Sequence, residues 1–181
     1  MAPTAMAWPE SYETARLRME RLRPEDFDEL RRMHADAVVM THLGGVRNEQ
    51  QTREYHEVNL RHWRERGFGL WIVYERHGVA PIGRALLRTL RVDEVDELEL
   101  GYALYEPYWG QGYATEIVAA CMALGRTHLG ATAFVALVSP DNHASRRVLE
   151  KAGLRFLREF AIERSPHDLF KSADGRKVSR P

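Results

Sequence analysis

One cysteine, no long apolar run and no excess of either charge set the first limits on this 181-residue chain. The single thiol, Cys121, cannot close an intramolecular disulfide, and it lies in the apolar run ATEIVAACMAL of residues 114–124. It therefore reads as a buried structural residue rather than a nucleophile. No stretch approaches the roughly 20 apolar residues that span a membrane. The opening MAPTAMAWPE lacks a basic region leading into an apolar one, so a cytoplasmic protein without a membrane partner is expected. Lys plus Arg and Asp plus Glu balance at 26 each, with a pI of about 7.1, which argues against a general nucleic-acid binder. Eight histidines are present, but none forms a His-Glu-x-x-His pair and no cysteines stand at ligand spacing, so no metal site is expected. Repeats, linkers and low-complexity segments are also missing, and the length and 44% hydrophobic content suit one domain.

What is present centres on residues 98–116, LELGYALYEPYWGQGYATE. Leu98, Leu100, Tyr102 and Leu104 alternate with Glu97, Glu99, Gly101 and Ala103, which predicts a strand with one apolar face. Pro107 ends it, because proline cannot donate to a ladder. Gly110 and Gly112 follow, and residues 114–124 have the composition of a buried helix. A glycine-rich turn opening a helix leaves backbone N–H groups unpaired at the positive end of the helix dipole, which suits an anion such as phosphate. Dinucleotide-binding folds also use Gly-x-Gly here, but Thr115 stands where their third glycine belongs and no ribose-binding acid follows. A plain tight turn and an anion site both remain open on this stretch alone.

Taken in order, residues 1–13 read as a loose arm and residues 14–21 as an edge strand. Pro24, Glu25 and Asp26 start a helix reaching about Ala37. After Gly44 and Gly45 comes a second helix over about 50–66, largely charged, on which His56 and His62 read as surface residues. Residues 70–76 and 80–90 form a hairpin pair, and the acidic 93–97 reads as a solvated turn. Residues 132–138 are a short apolar strand, Asn142 sits in the cap of a helix ending at Gly153, and strands follow at 154–162 and 168–171. Trp63, Phe68 and Trp71 read as core, with an acceptor-groove wall as the alternative.

Residues 101–116 (GYALYEPYWGQGYATE) and 139–156 (SPDNHASRRVLEKAGLRF), together with TARLRMERLRPEDFDELRRMHADAVVMTHLGG near the start, resemble the GNAT acyltransferase superfamily. The likeness is to its branch of ribosomal-protein N-terminal acetyltransferases of the RimJ and RimL type, and it spans about residues 14–160. It implies a single α/β domain over 14–171, between the arm and a frayed tail at 172–181. Its sheet would be mixed, mainly antiparallel and twisted, flanked by helices, with central parallel strands that splay apart. It also implies acetyl-CoA as donor and a homodimer through edge strands as a possible assembly. Backbone N–H groups of Trp109, Gly110, Gln111, Gly112, Tyr113, Ala114 and Thr115 would hold the pyrophosphate. Trp109 departs from the superfamily's usual Gln or Arg but matches the branch's Trp-Gly. Pantetheine would lie along Tyr102, Ala103 and Leu104.

The implied chemistry is acetyl transfer to a primary amine of a protein N-terminus or small molecule, which needs a neutral amine and a proton for the departing thiolate. Glu99, two residues before the shared Gly-Tyr, is the candidate base; a solvated strand face is the competing reading. By analogy Ser145 is the candidate acid, with Tyr102 and Tyr105 as alternatives, and Asn142 contacts the pantetheine or substrate. Asn and Ser are also ordinary residues of a helix's first turn. A non-catalytic acyl-CoA-binding sensor is the other reading of the same pattern.

Overall fold

The computed structural model describes residues 8–162 and 165–172. Eight strands form one sheet: β1 (Ser11–Glu13), β2 (Leu17–Arg21), β3 (Leu70–Glu75), β4 (Pro81–Val92), β5 (Val95–Leu104), β6 (Val135–Val138), β7 (Leu154–Ile162) and β8 (Ser165–Ser172). Their order is β1-β2-β3-β4-β5-β6-β8-β7, antiparallel except where β5 meets β6. Helices α1 (Phe27–Ala35), α2 (Ala37–Met40) and α3 (Glu49–Arg66) precede β3, while α4 (Tyr113–Leu129) and α5 (His143–Lys151) flank β6. Among the described residues no helix is long and apolar enough to cross a membrane. The tail at 173–181 lies outside the described residues.

The alternation along β5 divides the core. Leu98 lies close to Gly125 of α4, and Ala103, on the other strand face, clusters with Met33 and Val39 of α1 and α2. Cys121 is fully buried in α4, and burial pushes its thiol pKa up to about 12. Trp63 and Trp71 pack edge-to-face with ring centroids 5.1 Å apart, and Phe68 is buried beside them, so all three are core.

Four expectations need correction. Residues 11–13, read as arm, pair with β2 and form the sheet edge. The acidic 93–97 segment is not a loop: Val92 pairs with Val95 across a two-residue turn in which Asp93 and Glu94 hold φ of 46° and 63°. Positive φ at both turn residues matches the strand twist, and Asp favours the first position. The strand read over 132–138 is shorter, confined to Val135–Val138. His56 is buried, not superficial, and His62 is half-buried.

The histidine misreading has one physical cause. The inward stripe of α3 is Thr52, His56, Asn59 and Trp63, a core-facing row with one apolar member. Each polar group on it is satisfied: His56 Nε2 is 3.0 Å from the Arg23 carbonyl, Asn59 donates to the Tyr55 carbonyl at 2.8 Å, and Trp63 donates to Leu70 at 2.8 Å. Thr52 meets the fully buried His34 of α1, whose Nδ1 lies 3.1 Å from its Oγ1. Arg47 Nη1 approaches His34 Nε2 at 3.3 Å. A guanidinium only donates, so Nε2 accepts, His34 is neutral, and its proton sits on Nδ1 facing Thr52.

Burial, reinforced by the charges of Arg47 and Arg84, lowers the His34 pKa to about 3. The unfolded chain would take up this proton near pH 6.5, so the folded state binds fewer protons between those values. Stability from this group is complete above about pH 6.5 and drains away as pH falls toward 3, on the order of 3 kcal/mol in total. Denaturation at a series of pH values should show a shallower acid slope for His34→Gln than for wild type. Identical slopes would mean that His34 is not the group responsible.

Candidate active site

Only Glu99 and Val135 register β5 against β6. Past that pair the two parallel strands part, and Tyr102, Ala103 and Leu104 line a cavity of about 350 Å³. Backbone groups on a strand edge without a neighbour are available to a ligand. The expected splay is therefore present, and it opens at the residue expected to be the base.

One end of the cavity is built by the turn from β5 into α4. Trp109 donates its indole N–H to the Leu104 carbonyl at 2.7 Å, which pins the turn back on the strand. Gly110 and Gly112 adopt φ of 72° and 84°. Gly112 is the N-cap of α4 and offers no side chain, and the first acceptor within the helix, its carbonyl, is taken by Glu116 N–H at 3.1 Å. The N–H groups of Tyr113, Ala114 and Thr115 thus have no acceptor inside the helix, and they stand at its positive end. Trp109, Gly110, Gly112, Tyr113, Ala114 and Thr115 line the cavity. Gln111 does not line it; its side chain donates instead to the Pro107 carbonyl at 2.7 Å.

Arg16 of the β1–β2 connection, which sequence reasoning missed, braces this turn. It donates to the Gln111 carbonyl at 2.9 Å and to Glu116 Oε2 at 2.8 Å, and its guanidinium covers the Tyr113 ring at 4.5 Å. Burial tends to raise the Glu116 pKa, but hydrogen bonds from Thr14 and Arg16 outweigh it and hold the carboxyl below its usual range.

The opposite wall is α5. Asn142 caps it, accepting from Ser145 N–H at 3.0 Å. Ser145 Oγ lies 2.8 Å from the Tyr102 hydroxyl, and all three residues line the cavity. Burial raises the Tyr102 pKa more than the Ser145 bond lowers it, so the phenol keeps its proton at neutral pH. Tyr105, the other tyrosine considered, does not line the cavity and donates to Glu29 at 2.8 Å.

Glu99 is buried on the strand face toward α3, outside the cavity lining. Its Oε2 accepts from Arg88, its cross-strand partner, at 2.5 Å. Burial works against the Arg88 charge, yet Glu99 more than compensates and raises the guanidinium pKa.

Two further walls complete the cavity. Val38, Val39, His42 and Leu43, from α2 and the turn after it, close one side; no motif marks them. On α5, Ala144, Arg147, Val148 and Lys151 line the cavity at i, i+3, i+4 and i+7, a helical face the sequence did display. Arg147 and Lys151 bring positive charge to a cavity whose far end offers N–H groups. No group of three or more His, Cys, Asp or Glu able to hold a metal ion occurs among the described residues.

Known proteins are similar to this chain in sequence and fold. A family model for the acetyltransferase (GNAT) domain matches residues 16–155. An uncharacterised Bacillus subtilis protein, YkkB, is 32% identical over 121 residues, which is 67% of this chain and 70% of its own. An acetyltransferase from Agrobacterium tumefaciens superposes with a TM-score of 0.76 at 26% identity, covering 91% of this chain and 94% of its own. RimL, a ribosomal L7/L12 α-N-protein acetyltransferase solved with coenzyme A, superposes with a TM-score of 0.71 over 94% of this chain and 99% of its own. At 15% identity, that likeness is one of fold.

Proposed function

The chain belongs to the GNAT acetyltransferase family and is an N-acetyltransferase using acetyl-CoA, and from that premise we propose that it acetylates a primary amine directly, on a protein N-terminus or a small molecule. The observation that carries this reading is the pairing of two features in one cavity. Unpaired N–H groups at the start of α4 suit a pyrophosphate, and the hydrogen-bonded Tyr102 and Ser145 hydroxyls supply a proton across from them. A sensor that only bound acyl-CoA would need the first feature and not the second.

Acetyl-CoA supplies an activated acyl carbon: the amine nitrogen forms the new C–N bond as the C–S bond breaks, one proton leaving the amine and one reaching the thiolate. We assign delivery of that second proton to Tyr102, with Ser145 as its hydrogen-bonded partner. Asn142 fixes Ser145 through the α5 cap and leaves its own amide N–H₂ for the pantetheine. Glu99 takes the amine proton through water in this reading, since it does not line the cavity itself. The demand on a base is modest for an α-amine, about 1 kcal/mol at neutral pH, and about 4–5 kcal/mol for a lysine side chain. Transfer is direct because the buried Cys121 is no covalent acceptor.

Calorimetric titration with acetyl-CoA, with free CoA and NAD as controls, and thiol release over an amine panel test the reading. Tyr102→Phe is expected to lower kcat about 10- to 100-fold while acetyl-CoA affinity stays within about 3-fold. Binding without turnover of any amine would remove the transfer mechanism. A Tyr102→Phe enzyme with full kcat would remove the proton donor.

A further inference from the structure

A second polar cluster lies across β5 from the Tyr102 and Ser145 pair, on the face toward α3. Arg84 is Ala103's direct cross-strand partner, so the two side chains emerge on the same face, and Ala103 lines the cavity. Arg84 is only 6% exposed, and its Nε is buried without a hydrogen-bond partner. Among the described residues its guanidinium has no ion pair; it lies 5.4 Å from the ring centre of Tyr55 on α3. The Tyr55 hydroxyl is likewise buried and unpartnered. Arg47 also lies over that ring, at 4.9 Å, and its other contacts are the neutral His34 and the carbonyl of Leu43, another cavity residue.

The charges on this face do not balance. Two carboxylates on this face of β5 are already held, Glu99 by Arg88 and Glu97 by Lys171, and Arg47 and Arg84 have no carboxylate partner among the described residues. Burying an unpaired cation and leaving donors unsatisfied both carry a penalty, and each unmet buried donor costs about 1–3 kcal/mol. Two such donors, Arg84 Nε and Tyr55 Oη, belong to side chains whose guanidinium and ring centre lie 5.4 Å apart; an oxyanion would satisfy donors of this kind, and arginine's fork suits a carboxylate.

Resting on the acetyl-transfer reading above, we propose that the acceptor is a small amine bearing a carboxylate near its amino group, with the carboxylate held by Arg84, Tyr55 and Arg47. The two strands fix the geometry of this assignment. Glu99 and Ala103 occupy the same face of β5, four residues apart, and Arg88 and Arg84 stand opposite them. The face therefore carries a negative group toward the amine and an excess of positive groups toward the carboxylate. Neutral His34 supports this by holding Arg47 as an acceptor. Arg84, Tyr55 and Arg47 lie behind the cavity lining and border it through Ala103 and Leu43, and the short reach suits a compact ligand.

Matched acceptors decide the matter: phenylalanine against phenylalanine amide and 2-phenylethylamine, and β-alanine against propylamine, each with acetyl-CoA and a thiol-release readout. The expected kcat/KM is at least about 10-fold higher for the carboxylate-bearing member, as for a site whose buried polar groups need a partner. In Arg84→Met that ratio should collapse toward one, with Arg84→Lys intermediate; acetyl-CoA affinity reports whether each variant is folded. A second arm needs no turnover. N-acetylphenylalanine should bind wild type more tightly than N-acetylphenylalanine amide, and Arg84→Met should lose the difference. Equal kcat/KM within the pairs, or equal binding of acid and amide, overturns the carboxylate site and leaves acetyl transfer standing. Failure of every amine to turn over, with the acid still preferred in binding, overturns the transfer reading and keeps the site.

Discussion

Gly83→Ala should lower stability by about 2–4 kcal/mol, a fall in Tm of roughly 4–16 °C for a chain of this size. The reason is a close approach of two backbones rather than backbone conformation. A Cβ on Gly83 would be driven well inside van der Waals contact with the Ala103 carbonyl oxygen, and would sit 2.7 Å from Leu104 Cδ2 and 3.0 Å from Leu104 Cα. The Leu104 side chain can turn aside, but the carbonyl and Cα belong to a strand locked by its ladder to β4. Relief must come from prying β4 from β5 where both cavity-lining residues sit, so acetyl-CoA affinity should fall as well. Gly101→Ala is the control: its nearest neighbours lie at 3.8 Å, and its stability should stay within about 0.5 kcal/mol of wild type. Thermal unfolding of both variants checks the contrast. Equal losses would show that glycine in this sheet matters for something other than the approach to Ala103.

The same two strands show which parts of the fold and site were legible in the sequence. Strict alternation in 98–104 predicted β5, and turn chemistry at Gly110, Gly112 and Asn142 predicted where α4 and α5 begin. These are local signals, written in consecutive residues. Packing between distant segments leaves no such trace. The polar stripe of α3 looks solvent-facing until Arg23, Leu70 and His34 come to meet it from elsewhere in the chain. Glu99 was recognisable as a carboxylate on β5, but its commitment to Arg88 depends on hairpin register, set by a two-residue turn at Asp93 and Glu94. Val38 and Leu43 carry no motif because their contribution to the cavity is shape. Arg84 escaped notice for a related reason: an arginine in a strand says nothing until its burial and missing partner are known.

Gly112→Ala is expected to weaken acetyl-CoA binding by at least about 10-fold, the loss of one charge-assisted hydrogen bond's worth of affinity. At φ of 84° an alanine is strained by about 1 kcal/mol or more, and the chain relieves this by rotating the cap out of the left-handed region. That rotation re-aims the N–H groups of Tyr113, Ala114 and Thr115, the ones with no helical acceptor. The new Cβ would stand 3.4 Å from Arg16 Nη2, an ordinary contact, so the loss comes from the rotation rather than from a clash. Strain alone could lower affinity by loosening the fold, so a matched glycine is needed. Gly130, at φ of 62°, ends the same helix and has open space where a Cβ would stand. Gly130→Ala should therefore lose comparable stability while its acetyl-CoA Kd stays near wild type. Calorimetric titration of the two variants separates strain from site. If both lose affinity equally, the turn is only a turn, and the anion must be held by Arg147 and Lys151 on the α5 wall.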